Sequence, residues 1–155
     1  MKDMVARVTS TLGEVDILIN NAGVMYYTMM KNLKEEEWER TIDINCKVRL
    51  RLLSVNVRQF ICCIVQGVTN CIGAVLGGMV ERKSGHIVNM SSDAGRRGFA
   101  GLAVYSGTKF FVEGLSQGMR HELAPIGVRV TCIQPGDVKT ELFKHTTDLE
   151  VSVSC

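Results

Sequence analysis

The chain has 155 residues, 46% of them apolar and 22% charged, with a formal net charge of +2 at pH 7. That is enough chain for one domain with a real core, and so small a positive balance argues against a nucleic-acid partner or an anionic membrane surface. Met1-Lys2-Asp3-Met4-Val5 contains an acid and no apolar stretch, so it does not read as a secretory signal. The six cysteines form no CxxC pair and have no histidine cluster beside them; they read as reduced thiols, with no metal site and a cytoplasmic location expected.

In chain order, residues 1–13 read as a helix end, with Val5, Val8 and Leu12 at helical spacing and Gly13 as the stop. Val15 to Asn20 is a short apolar run leading into Asn20-Asn21-Ala22-Gly23, a buried strand that ends in a loop. Lys34 to Cys46 is helical, with Glu35, Glu36 and Glu37 at the end where the helix dipole favours acids. Gly67 to Glu81 reads as a packed helix rich in small residues, and His86 to Met90 as the next strand. Tyr105 to Leu123 reads as a long helix with apolar Phe110, Phe111, Leu115, Met119 and Leu123, and Gly127 to Ile133 as a third strand. Alternating strands and helices predict an α/β fold with a parallel sheet, whose ligands bind beyond the carboxyl ends of the strands. The polar motifs all fall at those ends.

Ser92, Tyr105 and Lys109 carry the chemistry. Tyr105 and Lys109 are four apart and share one helix face. A phenol with a pKa of about 10 is a poor proton carrier near neutrality, but a neighbouring ammonium favours the phenolate, and a phenol so tuned can exchange a proton with a carbonyl or alcohol oxygen. Ser92 ends the preceding strand, where its hydroxyl can hold the same oxygen. Taken singly, Tyr-x-x-x-Lys is ordinarily an amphipathic surface pair and Ser91-Ser92 a turn or cap. Arg96 and Arg97 read as a solvated turn, with anion binding as the alternative. His86 reads as a strand-edge residue, and His121 and His145 lack ligand partners.

Taken together and in this order, the motifs resemble the short-chain dehydrogenase/reductase family: Asn20-Asn21-Ala22-Gly23 after a strand, Asn45 ending a helix, a strand to Ser92, Tyr105-Ser106-Gly107-Thr108-Lys109, and Pro135-Gly136 after a third strand. The likeness covers about 5–47 and 67–149. It implies a partial Rossmann-like, doubly wound parallel sheet, the family's strands four to six with flanking helices. It also implies hydride transfer between NAD or NADP and a small carbonyl or alcohol substrate; the residues do not decide the cofactor, and NADP is the choice where one is made. Tyr105 matches the general acid/base and Lys109 the residue that tunes it and holds the nicotinamide ribose. Ser92 matches the hydroxyl that orients the substrate oxygen, and Asn45 the asparagine that holds a relay water. Asn21, Ala22 and Gly23 match the adenosine-side motif, and Pro135, Gly136, Val138 and Thr140 the nicotinamide-side loop. The parent enzyme is expected to be a homo-oligomer.

Three departures accompany the likeness. No glycine-rich turn after an opening strand precedes Asn20, so the pyrophosphate anchor of such folds is missing from a single incomplete domain, 1–155, whose first strand should have an open edge. Residues 48–66 interrupt the pattern with Arg49, Arg51 and Arg58 among β-branched and cysteine residues; Val-Arg and Gln codons permit splice-like ends, so a short retained intron is the reading preferred to a genuine insertion. Residues 151–155 form an anomalous tail. Phe60 to Val80 has the length of a membrane span, but Gln66, Thr69, Asn70 and four glycines interrupt it, so a packed helix is preferred. The alternative to an enzyme is a non-catalytic or unstable fragment of one.

Overall fold

The computed structural model describes residues 1–46, 67–140, 142 and 146–148. The proposed insertion at 48–66 and the tail at 151–155 lie outside them entirely. The elements run α1 (Lys2–Leu12), β1 (Ile17–Asn20), α2 (Glu35–Asn45), α3 (Gly67–Arg82), β2 (Gly85–Met90), α4 (Ala103–Leu123) and β3 (Val128–Ile133), with short 3-10 turns at Met30–Asn32, Asp93–Gly95 and Ala124–Ile126.

The three strands form one parallel sheet in the order β1-β2-β3. Leu18 pairs with Ile87 and Ile87 with Val130, so Leu18, Ile87 and Val130 lie in one row across the sheet. This is the expected partial Rossmann-like α/β arrangement. The helices between strands supply the crossovers that parallel pairing requires. Gly127 ends the turn after α4 with φ +93, a left-handed conformation in which a side chain would also strike the Lys83 carbonyl.

The core lies between the sheet and the helices. Ile72, Val75 and Met79 of α3 and Met119 and Leu123 of α4 pack on Ile87, Val128 and Val130. Burying side chains of this size contributes about 1.5–3 kcal/mol each. The same sheet face carries Asn89, fully buried, whose amide donates to Ser116 Oγ at 2.9 Å and whose Oδ1 accepts from Asn20 Nδ2 at 2.8 Å. These bonds offset the desolvation of a polar group in the core and bring the ends of β1 and β2 together beside the functional loops.

Two expectations about packing change. β1 is not buried on both sides: Ile17 and Ile19 are 57% and 61% exposed, because among the described residues nothing covers that face of the sheet. The buried stripe of α4 is only partly the apolar one read from sequence: Met119 and Leu123 are buried and Leu115 packs against the core, but polar residues share the stripe. Tyr105, Lys109, Val112, Ser116, Met119 and Leu123 face inward, while Phe110 is exposed. Polar residues occupy the inner stripe because it meets Asn89 and the site at the strand ends. Among the described residues no helix is long and apolar enough to cross a membrane.

Candidate active site

The carboxyl ends of β1, β2 and β3 and the first turns of α4 enclose a cavity of about 630 Å³. Ser92, Tyr105 and Lys109 line it together. Ser92 leaves β2 in extended conformation, and its Oγ accepts from the Ala94 N–H at 3.2 Å. It therefore caps the turn at Asp93–Gly95 and faces the cavity, so the capping hydroxyl also stands at the cavity wall. The Ser92 hydroxyl also donates to Asp93 Oδ1 at 3.0 Å.

Tyr105 is buried, and burial pushes its phenol above the ordinary value. A hydrogen bond with Ser92 acts in the opposite direction, and the Asp93 charge adds to the rise. Lys109 is 8% exposed, and its ammonium donates to the Met90 carbonyl at 2.9 Å. Burial lowers its pKa. Its Nζ stands 5.5 Å from the centre of the Tyr105 ring. The lowering of the phenol by the ammonium, expected from their spacing, is thus not the dominant influence in this geometry; desolvation is.

Asn45, at the end of α2, is buried behind the cavity rather than on its wall. Its Oδ1 accepts from the Val24 N–H at 2.7 Å, and its Nδ2 donates to the Val24 carbonyl at 2.8 Å and to Thr108 Oγ1 at 3.2 Å. The side chain fixes the loop after β1 against α4. Gly23 sits in the angle of this junction: a Cβ there would lie 3.2 Å from Asn45 Oδ1 and 3.9 Å from Lys109 Nζ. Asn21 and Gly23 line the main cavity, as do Pro135, Gly136, Val138 and Thr140. Ala22 instead lines a second, apolar cavity beneath α1, which Asn21 also borders.

The structure adds residues the sequence motifs did not single out. Met25, Tyr27, Phe99, Leu102 and Leu142 form an apolar end of the cavity, beyond Tyr105. Asp93 and Asp137 bring carboxylates to its wall. Thr146 Oγ1 accepts from the Tyr27 N–H at 3.0 Å, which ties the segment after β3 to this end. Among the described residues no cluster of histidine, cysteine and carboxylate side chains could hold a metal. Cys46 is buried beside Thr108, and burial raises its thiol to about 11.

This architecture matches known proteins. The short chain dehydrogenase family model matches residues 1–61 and 47–150. The chain belongs to that family. It is 45% identical over 150 residues to glycine betaine reductase ATRR of Emericella nidulans, covering 97% of this chain and 10% of that protein. It is 34% identical to a 3-oxoacyl-[acyl-carrier-protein] reductase FabG of Staphylococcus epidermidis, covering 96% of this chain and 53% of that one. Among solved structures, a gluconate 5-dehydrogenase from Burkholderia cenocepacia in complex with NADP superposes with a TM-score of 0.74 at 26% identity, over 91% of this chain and 48% of that one. The chain thus spans about half the length of that reductase and that dehydrogenase, and a tenth of the fungal protein.

The cavity suits the nicotinamide end of such a cofactor. Lys109 presents a buried ammonium with hydrogens to spare beyond its bond to Met90, and Gly23 keeps the wall beside it free of a side chain. The family and an NADP-bound relative support a nicotinamide cofactor, NAD or NADP.

Proposed function

We propose that this short-chain dehydrogenase half carries the proton-transfer and substrate-orienting machinery of an NAD(P)-dependent carbonyl/alcohol oxidoreductase. The observation that carries this reading is the meeting of Ser92, Tyr105 and Lys109 in one cavity. A bound nicotinamide would supply or accept the hydride at the carbonyl carbon. Tyr105 gives its proton to the carbonyl oxygen in reduction and removes it in oxidation. Ser92 orients that oxygen and stabilises its developing charge. Lys109, Asn21 and Gly23 hold the nicotinamide and ribose end, with Ala22 in the same loop, while Pro135, Gly136, Val138 and Thr140 form the opposite wall. Asn45 acts through the loop it fixes. Among the described residues no glycine-rich turn follows a strand, so none of them is assigned the pyrophosphate grip.

The test is a titration of the protein with NADH and NADPH, followed by calorimetry, together with turnover of a carbonyl panel. Binding that Lys109→Ala weakens and turnover that Tyr105→Phe abolishes support the reading. The 155-residue chain alone is expected to bind weakly, and to bind well once joined to a strand–glycine-loop–helix unit. Turnover unchanged in Tyr105→Phe overturns the assigned roles.

A further inference from the structure

Asp93 and Asp137 are the charged groups of the cavity wall that this mechanism leaves unused, and Asp93 is the one bonded to Ser92. Its N–H donates to the Pro135 carbonyl at 3.0 Å, which pins it at the cavity wall. Its Oδ1 accepts the Ser92 hydroxyl at 3.0 Å. A lone carboxylate is unfavourable there for chemistry at an oxygen that gains negative charge. It draws the Ser92 proton away from the substrate, and it pushes the Tyr105 phenol further up. A cation beside Asp93 would relieve both effects, and the described protein supplies none: no lysine, arginine or histidine among the described residues lies within 4.0 Å of this carboxylate. The two arginines of its own loop act elsewhere. The Arg97 guanidinium lies 4.7 Å from the centre of the Phe99 ring, and the charge of Arg96 acts on Glu113. Lys109 is held on Met90.

We propose that the missing charge belongs to the substrate: the site takes a small carbonyl or alcohol bearing an alkylammonium group one or two carbons from the reacting carbon, and Asp93 selects it. This rests on the oxidoreductase reading of the cavity. A substrate oxygen at an ordinary hydrogen-bond length of about 2.8 Å from Ser92 Oγ stands within about 6 Å of Asp93 Oδ1. A nitrogen so close along the substrate chain then reaches contact with the carboxylate. The rest of the wall fits an alkylated cation. Tyr27 offers aromatic surface and Met25 apolar surface, which attract such a group without demanding hydrogen bonds.

Two compounds of one shape isolate the charge: choline and its uncharged carbon isostere, 3,3-dimethylbutan-1-ol. Calorimetry or saturation-transfer NMR on the 155-residue protein reads their binding without any cofactor. The proposal expects choline to bind about tenfold more tightly than the isostere, the size of one charge pair in a partly exposed site. Asp93→Asn should bring the two within about twofold, and Asp93→Glu should restore part of the preference, with circular dichroism confirming that both variants fold. Equal binding in the wild type, no binding of either compound, or a preference that survives Asp93→Asn overturns it. Nicotinamide binding is measured separately. That measurement uses the chain joined to a strand–glycine-loop–helix unit: no nicotinamide binding there, beside an intact charge preference, would fell the oxidoreductase reading alone, and the reverse pattern would fell only the role of Asp93.

Discussion

Asn45 bonds both backbone groups of Val24, accepting from its N–H at 2.7 Å and donating to its carbonyl at 2.8 Å. One side chain thereby imitates a strand partner for the loop that leaves β1, and a third bond, to Thr108, anchors it to α4 beside Lys109. Asn45→Ala would leave those groups unpaired in a buried place, at a cost of about 2–3 kcal/mol. An unfolding free energy from urea titration lowered by that amount, with the midpoint reduced and the slope unchanged, is the expected result. Asn45→Asp should fare little better, because its second oxygen would face the Val24 carbonyl. A midpoint unaltered in both variants would show that the loop holds its place without this bond.

The direction of the Tyr105 shift sets a pH profile. Burial holds the phenol protonated to higher pH than usual. Carbonyl reduction, which needs the protonated form, should stay flat from neutrality until the raised pKa is passed. Alcohol oxidation needs the phenolate and should climb about tenfold per pH unit below it. Initial rates in both directions between pH 6 and 10, for the chain joined to its phosphate-binding unit, check this. Oxidation that levels off near pH 7 would mean that bound cofactor or substrate reverses the effect of burial.

The sheet and the helices were legible in the sequence because they depend on local pattern, short apolar runs and helical spacing; the convergence of Ser92 with Tyr105 and Lys109 was legible only through the order of motifs shared with the short-chain dehydrogenases. The polar part of the inward face of α4 was not. Its largest apolar residue by appearance, Phe110, is exposed, while Ser116 is fully buried against Asn89; only the pairing of two core polar groups, set by tertiary contact, decides that orientation. The burial of β1 was misjudged for a related reason, since exposure of Ile17 and Ile19 depends on what covers the sheet and not on the strand itself. Asp93 escaped notice because one acid in a polar turn has no signature until its neighbours are known.

Glu113 offers a stability test at acid pH. It is 8% exposed, one turn beyond Lys109. Burial alone would raise its pKa, but the neighbouring polar side chains of Ser91, Gln134 and Cys132 and the charge of Arg96 outweigh that and lower it. A carboxylate with a lowered folded pKa contributes stability that is complete above its unfolded pKa, near 4.5. That contribution fades as pH falls through the folded pKa, since the unfolded chain takes up the proton first. Denaturant midpoints measured from pH 6 down to pH 3 should therefore fall less steeply in Glu113→Gln than in the wild type. Parallel slopes would mean that other carboxylates carry the acid sensitivity.

Asp148 governs the far end of the cavity. It is 6% exposed, although it is a carboxylate in a segment without regular structure. It accepts from the Met29 N–H at 3.1 Å and from Asn32 Nδ2 at 2.9 Å and 3.0 Å. Next to it, Thr147 donates to Glu37 of α2, and Thr146 receives the Tyr27 N–H. Three consecutive residues thus lace the chain after β3 onto the loop after β1, and Tyr27 and Leu142 of the joined segments both line the cavity. Removing the carboxylate in Asp148→Ala deprives a backbone N–H and an amide of their charged acceptor, a loss of about 2 kcal/mol. The effect should be local. Hydrogen exchange at the Tyr27 and Met29 amides should quicken about tenfold or more, while the amides of β2 and β3 keep their protection. Affinity for any ligand that fills the apolar end should fall with it, because that wall would be ordered only at the ligand's expense. Unchanged exchange at Tyr27 and Met29 in Asp148→Ala would show that apolar contacts hold this end of the cavity closed.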